Sequence, residues 1–548
     1  MPLEIVRSID LEFANLCYRS GMKLNTRAMA VVALGFSLLG GAFAGVRLMS
    51  VGETRPLEMH NHKLFNALNS SLPPVLPYIP TYYGHVRPIL EAKCTGCHIE
   101  NGIAPFSLTD PKSAVEHARA AQLAVQSKRM PPWLPAGESP AFKDARVLTD
   151  NEIAILANWQ WAGSPLGKLE TAAPVTARGA QAKPDLSVDT GREFSPDRNL
   201  TDEYRCFLID PKLEKERYIT GYNILPGDAS VVHHVILFSI RGNTIQEAKQ
   251  READSDARGG WTCFGGPNVG NQALRDAAAE AATTGDSSKA EDVLGYAGSW
   301  VPGSSAIHFP EGTGIILKPG TQLVMQVHYN LLAAKADKVL KDRPTAQFYL
   351  SPEGATLKRL GMAGAAASVE IPCPGAYPTN SSDACNREAA YKAVSKYQEP
   401  WLTKILQSGL VATVCKHTMP TNGDNGNANK VVTQCDFPVS RNLLAIGTQG
   451  HMHTRGISVK IEINPNDPQK RIVALDIPHW DFHWQSAFYF EKPFKIFKGD
   501  TIRITCTYDN SPQNQPWING KQEKPRYIVW GESTQDEMCI GNIQGVRE

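Results

Sequence analysis

The second half of the chain alternates in short apolar runs. "SVVHHVILFSI" (230–240), "TQLVMQVHYNLL" (321–332), "ISVKIEINP" (457–465) and "DTIRITCTYDN" (500–510) are rich in β-branched residues and bounded by Gly, Pro, Asn and Asp. That pattern predicts strands that bury one or both faces. No run of strands alternating with long helices occurs, which favours all-β antiparallel sandwiches over a parallel α/β sheet. The region 80–165 has a different period. "HVRPILEAKCTGCH" (85–98) reads as a helix, and "LTDNEIAILANWQWAGSP" (148–165) as a helix capped at Thr149 or Asp150, with Ile153, Leu156, Ala157 and Trp161 on one stripe. The expected fold is therefore multidomain: a small all-α domain followed by all-β antiparallel sandwiches.

The boundaries follow from composition. Residues 1–50 read as a signal peptide or membrane anchor. From Met22, a possible true start, a basic segment precedes an apolar run and an A-x-A site at Ala42–Ala44. Residues 80–165 form the helical domain and 166–195 an Ala/Pro/Thr-rich extended linker. Residues 196–360 form the first sandwich, 361–435 the insert and 436–548 the second sandwich. The 548 residues exceed what one core accommodates, and 44 Gly with 38 Pro suit a loop-rich β protein. A formal charge of +1 gives no general attraction for nucleic acid or an anionic membrane. A leader of this type places the bulk of the chain in the periplasm or outside the cell, free or anchored at the outer face of the inner membrane. Of 11 cysteines, Cys17 lies in the leader, and eight remain outside the Cys94/Cys97 pair, an even number that suits disulfides.

Cys94, Cys97 and His98 form C-x-x-C-H, the attachment signature of a c-type haem. The cysteines would form thioethers and His98 would be the proximal iron ligand. The rival readings, a zinc half-site or a redox dithiol, lack a second ligand pair or a βαβ context. Met130, before two prolines in "SKRMPPWLP", is the candidate distal ligand, with His117 as its rival. The module resembles the small single-haem cytochrome c domains fused to bacterial periplasmic enzymes.

Histidines mark the strands. His233 and His234 are adjacent, so their rings share an ion only if the strand twists or bulges, or if they use different ring nitrogens. His328 sits on a second strand. His451 and His453 are two apart and face one way. Met538 lies in "DEMC" near the C-terminus, in a setting too polar for an ordinary core methionine. The ordered set "VVHHVILF", "QVHYN", "HMHTRG", "DEMC" resembles the copper type II, ascorbate-dependent monooxygenases, the peptidylglycine α-hydroxylating and dopamine β-monooxygenase family, from about Cys206 to the end. The resemblance implies two coppers: one held by His233, His234 and His328 for electron transfer, the other by His451, His453 and Met538, the catalytic residues, where oxygen reacts. It also implies that the β region is two all-β antiparallel sandwiches of jelly-roll type, here with a partly helical insert, and that Cys206–Cys263 and Cys506–Cys539 are disulfides. The implied activity is hydroxylation of a C–H bond of a small organic substrate with O2. A reductant or redox protein would supply electrons, and the covalent haem c would stand in for ascorbate. The alternative is a non-catalytic haem/copper electron-transfer or copper-binding protein.

Three features depart from the family. Gln449, Ile540 and Asn542 stand where the peptide-amidating members grip a carboxylate, so peptidylglycine is not the expected substrate. Arg455 reads equally as a turn residue or a substrate contact. Cys373, Cys385, Cys415 and Cys435 have no pairing implied by the family, although Cys435 is expected to pair within the insert. "IPHWDFHWQSAFYF" (477–490) reads as a strand, with His479 and His483 structural or cleft-lining, and "YKAVSKYQEPWLTKILQSG" (391–409) as helical. His308 and His417 have no assigned role.

Overall fold

The structure is a computed structural model. It describes residues 73–100, 104–143, 145–169, 183–200, 202–263, 266–270, 272–274, 276–277, 293–302, 304, 306–331, 338–374, 383–396, 415, 430–518, 521–531 and 533–547. The expected leader, residues 170–182 of the linker, His417 and the later part of the helical insert lie outside these residues. Among the described residues no helix is long and apolar enough to cross a membrane.

The β region is built on one long sheet. Its order is Leu186–Asp189, Thr345–Leu350, Arg217–Leu225, Thr313–Leu317, Lys358–Ala366, Ile540–Arg547, Leu443–His451, Phe488–Ile496, with Ile307–His308 pairing Arg217–Leu225 at the side. A five-stranded sheet faces one half: Trp261–Thr262, Asp202–Ile209, Gln322–Asn330, Val232–Ile240, Leu294–Trp300. A four-stranded sheet faces the other: Val431–Pro438, Thr501–Tyr508, Gly456–Ile463, Ile472–Ile477. Two apolar cores result. One gathers Phe207, Leu237, Met325 and Phe348, and the other Ile461, Ile504, Phe490 and Ile543. Gln322–Asn330 is buried along nearly its whole length because it has sheet neighbours on both edges and a core below it, which is why its apolar run is almost continuous.

The halves are less separate than the sequence suggests. Lys358–Ala366 pairs antiparallel with Ile540–Arg547 of the second half and, over two residues, parallel with Thr313–Leu317 of the first. The expected boundary at 361 thus falls inside a strand. Leu186–Asp189, expected to be linker, is an edge strand, and Phe194 is fully buried. Of the insert, the short helix Arg387–Val394 is described. It is held by Arg387, whose Nε donates to Glu370 at 2.8 Å, and by Tyr527, whose hydroxyl donates to the same carboxylate at 2.6 Å. Four disulfides close loops: Cys206–Cys263, Cys373–Cys385, Cys415–Cys435 and Cys506–Cys539. Such bonds are consistent with a secreted protein.

The region 82–161 is helical, with Tyr82–Val86, Arg87–Lys93, Pro111–Glu116, Ala118–Gln126 and Asp150–Trp161. Thr149 caps the last helix in a capping box with Glu152. Trp159 is the buried tryptophan, its Nε1–H donating to the Pro165 carbonyl at 3.0 Å, whereas Trp161, expected inward, is 41% exposed. The loop between the fourth and last of these helices leaves the helical unit altogether. Trp133 and Phe142 pack on Phe488, and Phe142 stacks on Phe490 in the second core. The Lys143 amide donates to Tyr489 and the Glu491 amide to Ala141, so the loop is stitched to an exposed strand edge. Glu138 makes ion pairs with Arg471 and Lys460. The helical unit is thereby fixed against the second sandwich.

Phe142 is 3% exposed in this contact. Phe142→Ala should lower stability to urea by about 3 kcal/mol and open the loop after Met130 to proteolysis in native buffer. Unchanged cleavage would show that docking does not depend on this ring.

Candidate metal and haem centres

A β-bulge brings the first three histidines together. In the pairing of Val232–Ile240 with Gln322–Asn330, Val232 faces Tyr329 and His234 faces His328, and the register shifts between them. His233 is the extra residue. The shift cancels the alternation that would send adjacent rings to opposite faces. His234 Nδ1 lies 3.3 Å from His233 Nδ1 and 3.4 Å from His328 Nδ1. Among the described residues this is the group of three or more His, Cys, Asp or Glu arranged to hold a metal ion. His328 Nε2–H donates to Asp202 Oδ1 at 2.8 Å, which leaves its Nδ1 lone pair facing the cluster. Burial pushes the His234 pKa well below its ordinary value, and the nearby histidines push it the same way. The ring is therefore neutral and available as a ligand at pH 7.

The second group forms where Leu443–His451 meets Ile540–Arg547. His451 pairs with Ile540, so Met538 lies two residues before its partner. The His451 and His453 ring centroids are 5.1 Å apart. Gln485 Oε1 accepts from His451 Nδ1, and the Asp536 carbonyl accepts from His453 Nδ1 at 3.2 Å. Both rings thus carry their proton on Nδ1 and offer Nε2. Burial lowers the His451 pKa to about 4 and that of His453 well below its usual value. Met538 is 6% exposed and packs in the second core. The polar setting read from its neighbours is not solvent. Asp536 and Glu537 are themselves buried, and Glu537 Oε2 accepts the His453 amide at 2.8 Å. The same carboxylate accepts the Arg455 amide at 2.5 Å.

Arg455 is fully buried, and its guanidinium donates to Thr454 Oγ1, the Gln535 carbonyl and Gln515 Oε1. It braces the loop after H-x-H. Gln449 and Asn542 face one another across the strand pair. Residues 479–487 are not a strand. A 3-10 turn at Phe482–Trp484 interrupts them, and His479 is exposed. His308 is exposed, its ring against Tyr349.

The helical unit holds a cavity of about 350 Å³ with a largely apolar wall, lined by Cys94, Cys97, His98 and Met130. His98 Nδ1–H donates to the Phe106 carbonyl at 3.0 Å, leaving Nε2 as the free donor atom. His117 stacks on the far side of Phe106, at 4.0 Å between centroids, and is not part of the lining. Burial pushes the Cys94 thiol up to about 12. Two thiols, an oriented imidazole, a thioether and an apolar wall fit a covalent haem. Imidazoles offering lone pairs beside a thioether fit copper.

Residues 404–544 match the model of the copper type II ascorbate-dependent monooxygenase C-terminal domain. This match supports that family and a copper-dependent monooxygenase of the oxidoreductase class. It begins inside the segment expected to be an insert. No curated protein matches the chain. Solved structures similar to parts of it include a fucolectin from striped bass (Morone saxatilis) serum, 8% identical over 64% of this chain and 85% of that one, TM-score 0.15. Another is recombinant pumpkin pro-11S globulin, 9% identical over 67% and 87%, TM-score 0.13. Likenesses this low carry no argument.

Asp202 fixes the His328 tautomer without belonging to the three-histidine cluster. Asp202→Ala should weaken metal binding there by about 10–100-fold and leave the His451/His453 group unaffected, as titration calorimetry would show. Equal affinity would mean that His328 does not bind through Nδ1.

Proposed function

We propose, from the copper monooxygenase C-terminal domain at residues 404–544, that this is an exported copper-dependent monooxygenase that hydroxylates a C–H bond of a small organic substrate with O2 and receives its electrons through a covalently bound c-type haem. The convergence of three Nδ1 atoms within one metal's reach carries the reading. A second, differently built group at His451, His453 and Met538 supports it. Two unlike sites suit a division between electron storage and oxygen chemistry better than a single transport role.

His233, His234 and His328 would hold one copper, and His451, His453 and Met538 the other. Copper, when bound, supplies one-electron redox change and oxygen activation. Cys94, Cys97 and His98, with Met130 as a further ligand, would hold a haem, which would supply electrons one at a time, as each copper takes them. The chain's own work is positional. Asp202, Gln485 and the Asp536 carbonyl fix which ring nitrogen of His328, His451 and His453 faces its group. Glu537 pins the backbone of His453 and Arg455 beside Met538, and the Cys506–Cys539 disulfide ties down the residue after it. A ligand held by its backbone keeps its place as the charge on the metal changes. The amide pair Gln449–Asn542 on the strands that carry this site offers neutral hydrogen bonds and no cation, which suits an uncharged substrate over a carboxylate.

Expression with a cytochrome c maturation system should give two coppers and one covalent haem per chain. Met538→Ile should abolish hydroxylation and leave copper at the three histidines. Cys97→Ser should remove the normal two-thioether haem and slow turnover with a protein electron donor. Haem with copper but no O2-dependent product from any C–H substrate would favour the non-catalytic electron-transfer reading. Normal turnover in Met538→Ile would sink the site assignment.

A further inference from the structure

The haem cavity is not closed by the helical unit alone. Its far wall is Ser230, Val231, Val232 and His233, with Asn330 and Trp484 beside them. Four consecutive residues leading into the histidine-bearing strand thus face Cys94, Cys97, His98 and Met130 across one space. His233 is both the bulge residue of the metal cluster and part of this wall. With Nδ1 turned toward His234, the rest of its ring is left to border the cavity.

The turn that the sequence misread joins the remaining groups. The Phe482 ring stacks on His233, at 5.2 Å and 19° between planes, and meets His453 edge-on, at 5.8 Å and 87°. Trp484 lines the haem cavity, and Gln485 holds His451 Nδ1. One short segment, Phe482–Gln485, therefore touches the cavity and both histidine groups. The loop that carries Met130 continues into Trp133, which packs on Phe488 just beyond this segment. The docking that fixes the helical unit also fixes the cavity against His233.

We propose that electrons pass from the haem to the three-histidine copper through His233, and that Phe482–Gln485 is the positioning segment that holds this port and the second copper site together. The proposal rests on the copper and haem assignments above. The step is a single electron transfer: ferrous haem becomes ferric, a cupric ion at the three histidines becomes cuprous, and no bond or proton need move. An external one-electron reductant restores the ferrous haem. The route also sets an order, in which the His451/His453/Met538 site receives its electron after the cluster.

The test follows the haem's absorption, not turnover. Haem-loaded, copper-depleted protein is reduced under argon, freed of reductant and mixed with one equivalent of Cu(II) in a stopped-flow instrument. Wild type should oxidise its haem in a fast phase independent of protein concentration. The doubly substituted His451→Ala/His453→Ala protein should keep that phase, and His234→Ala should lose it. Among variants shown by electron paramagnetic resonance to retain cluster copper, His233→Met should lose the fast phase and His234→Met should keep it.

A second readout needs no variant. In fully oxidised protein, ferric haem should speed relaxation of the Cu(II) signal of the three-histidine site more than that of the other site. A fast phase that scales with protein concentration, that survives in His234→Ala, or that vanishes only without His451 and His453 would overturn the route, as would equal relaxation at both coppers. Protein that attaches no haem, or whose three histidines retain no copper, would instead overturn the assignments beneath it, and the proposal with them.

Discussion

One extra residue in one strand makes the three-histidine cluster possible. A β-strand sends successive side chains to opposite faces, so two adjacent histidines cannot both face a third on the neighbouring strand without a break in register. The break falls at His233, between the Val232–Tyr329 and His234–His328 pairs. It costs local ladder hydrogen bonding and bends the strand. In return His233 reaches the same point as His234 and His328 and also stands at the edge of the first sandwich, where the helical unit meets it. The cluster, the cavity wall and the contact with Phe482 all depend on that single insertion.

How much of this was legible in the sequence differs by the range of the interaction. Residue types and spacings showed the candidate ligands, since imidazole and thioether chemistry is local: His451 and His453 face one way in any extended segment. That adjacent His233 and His234 need a twist, a bulge or different ring nitrogens to share an ion was also legible, but not which, because no glycine or other local mark announces the bulge. The docking loop could not be read. Its partners lie far along the chain, as Glu138 does from Asp476, 338 residues apart, and nothing local to "WLPAGESPAF" distinguishes it from a solvated loop. Residues 479–487 were misread because aromatic content argues for strand, whereas here the rings are spent on histidine faces and a cavity wall. Met538 was read as too polar in its setting for a core methionine because its neighbours are acidic. Their charges are absorbed by buried partners, which only the fold supplies.

The shared sheet explains why the boundary at 361 fails. Lys358–Ala366 alternates like a strand of either sandwich, and its apolar positions face both cores: Leu360 packs with the first and Ala365 with the second. A strand with partners in both halves cannot be assigned to one by periodicity. Its parallel contact with Thr313–Leu317 and antiparallel contact with Ile540–Arg547 make the two halves one hydrogen-bonded frame. The strand that carries His451 belongs to this frame, and the five-stranded sheet that carries His233, His234 and His328 packs on it across the first core.

The acidic clamp beside Met538 is the costliest element of that frame. Glu537 is fully buried, and burial raises its pKa to about 7 even though backbone amides and Arg455 act to lower it. A carboxyl group in that position does not stabilise the fold by its charge. Apolar packing there would serve stability as well or better. What the carboxylate does that an apolar side chain cannot is accept backbone N–H groups on both sides of His453, from His453 and Arg455, while belonging to the residue directly before Met538. It converts two segments remote in sequence into one rigid unit carrying two imidazoles and a thioether. Arg455, itself fully buried, completes the unit by binding the Gln535 carbonyl. The arrangement spends stability on position, and it does so only where ligand geometry must be held.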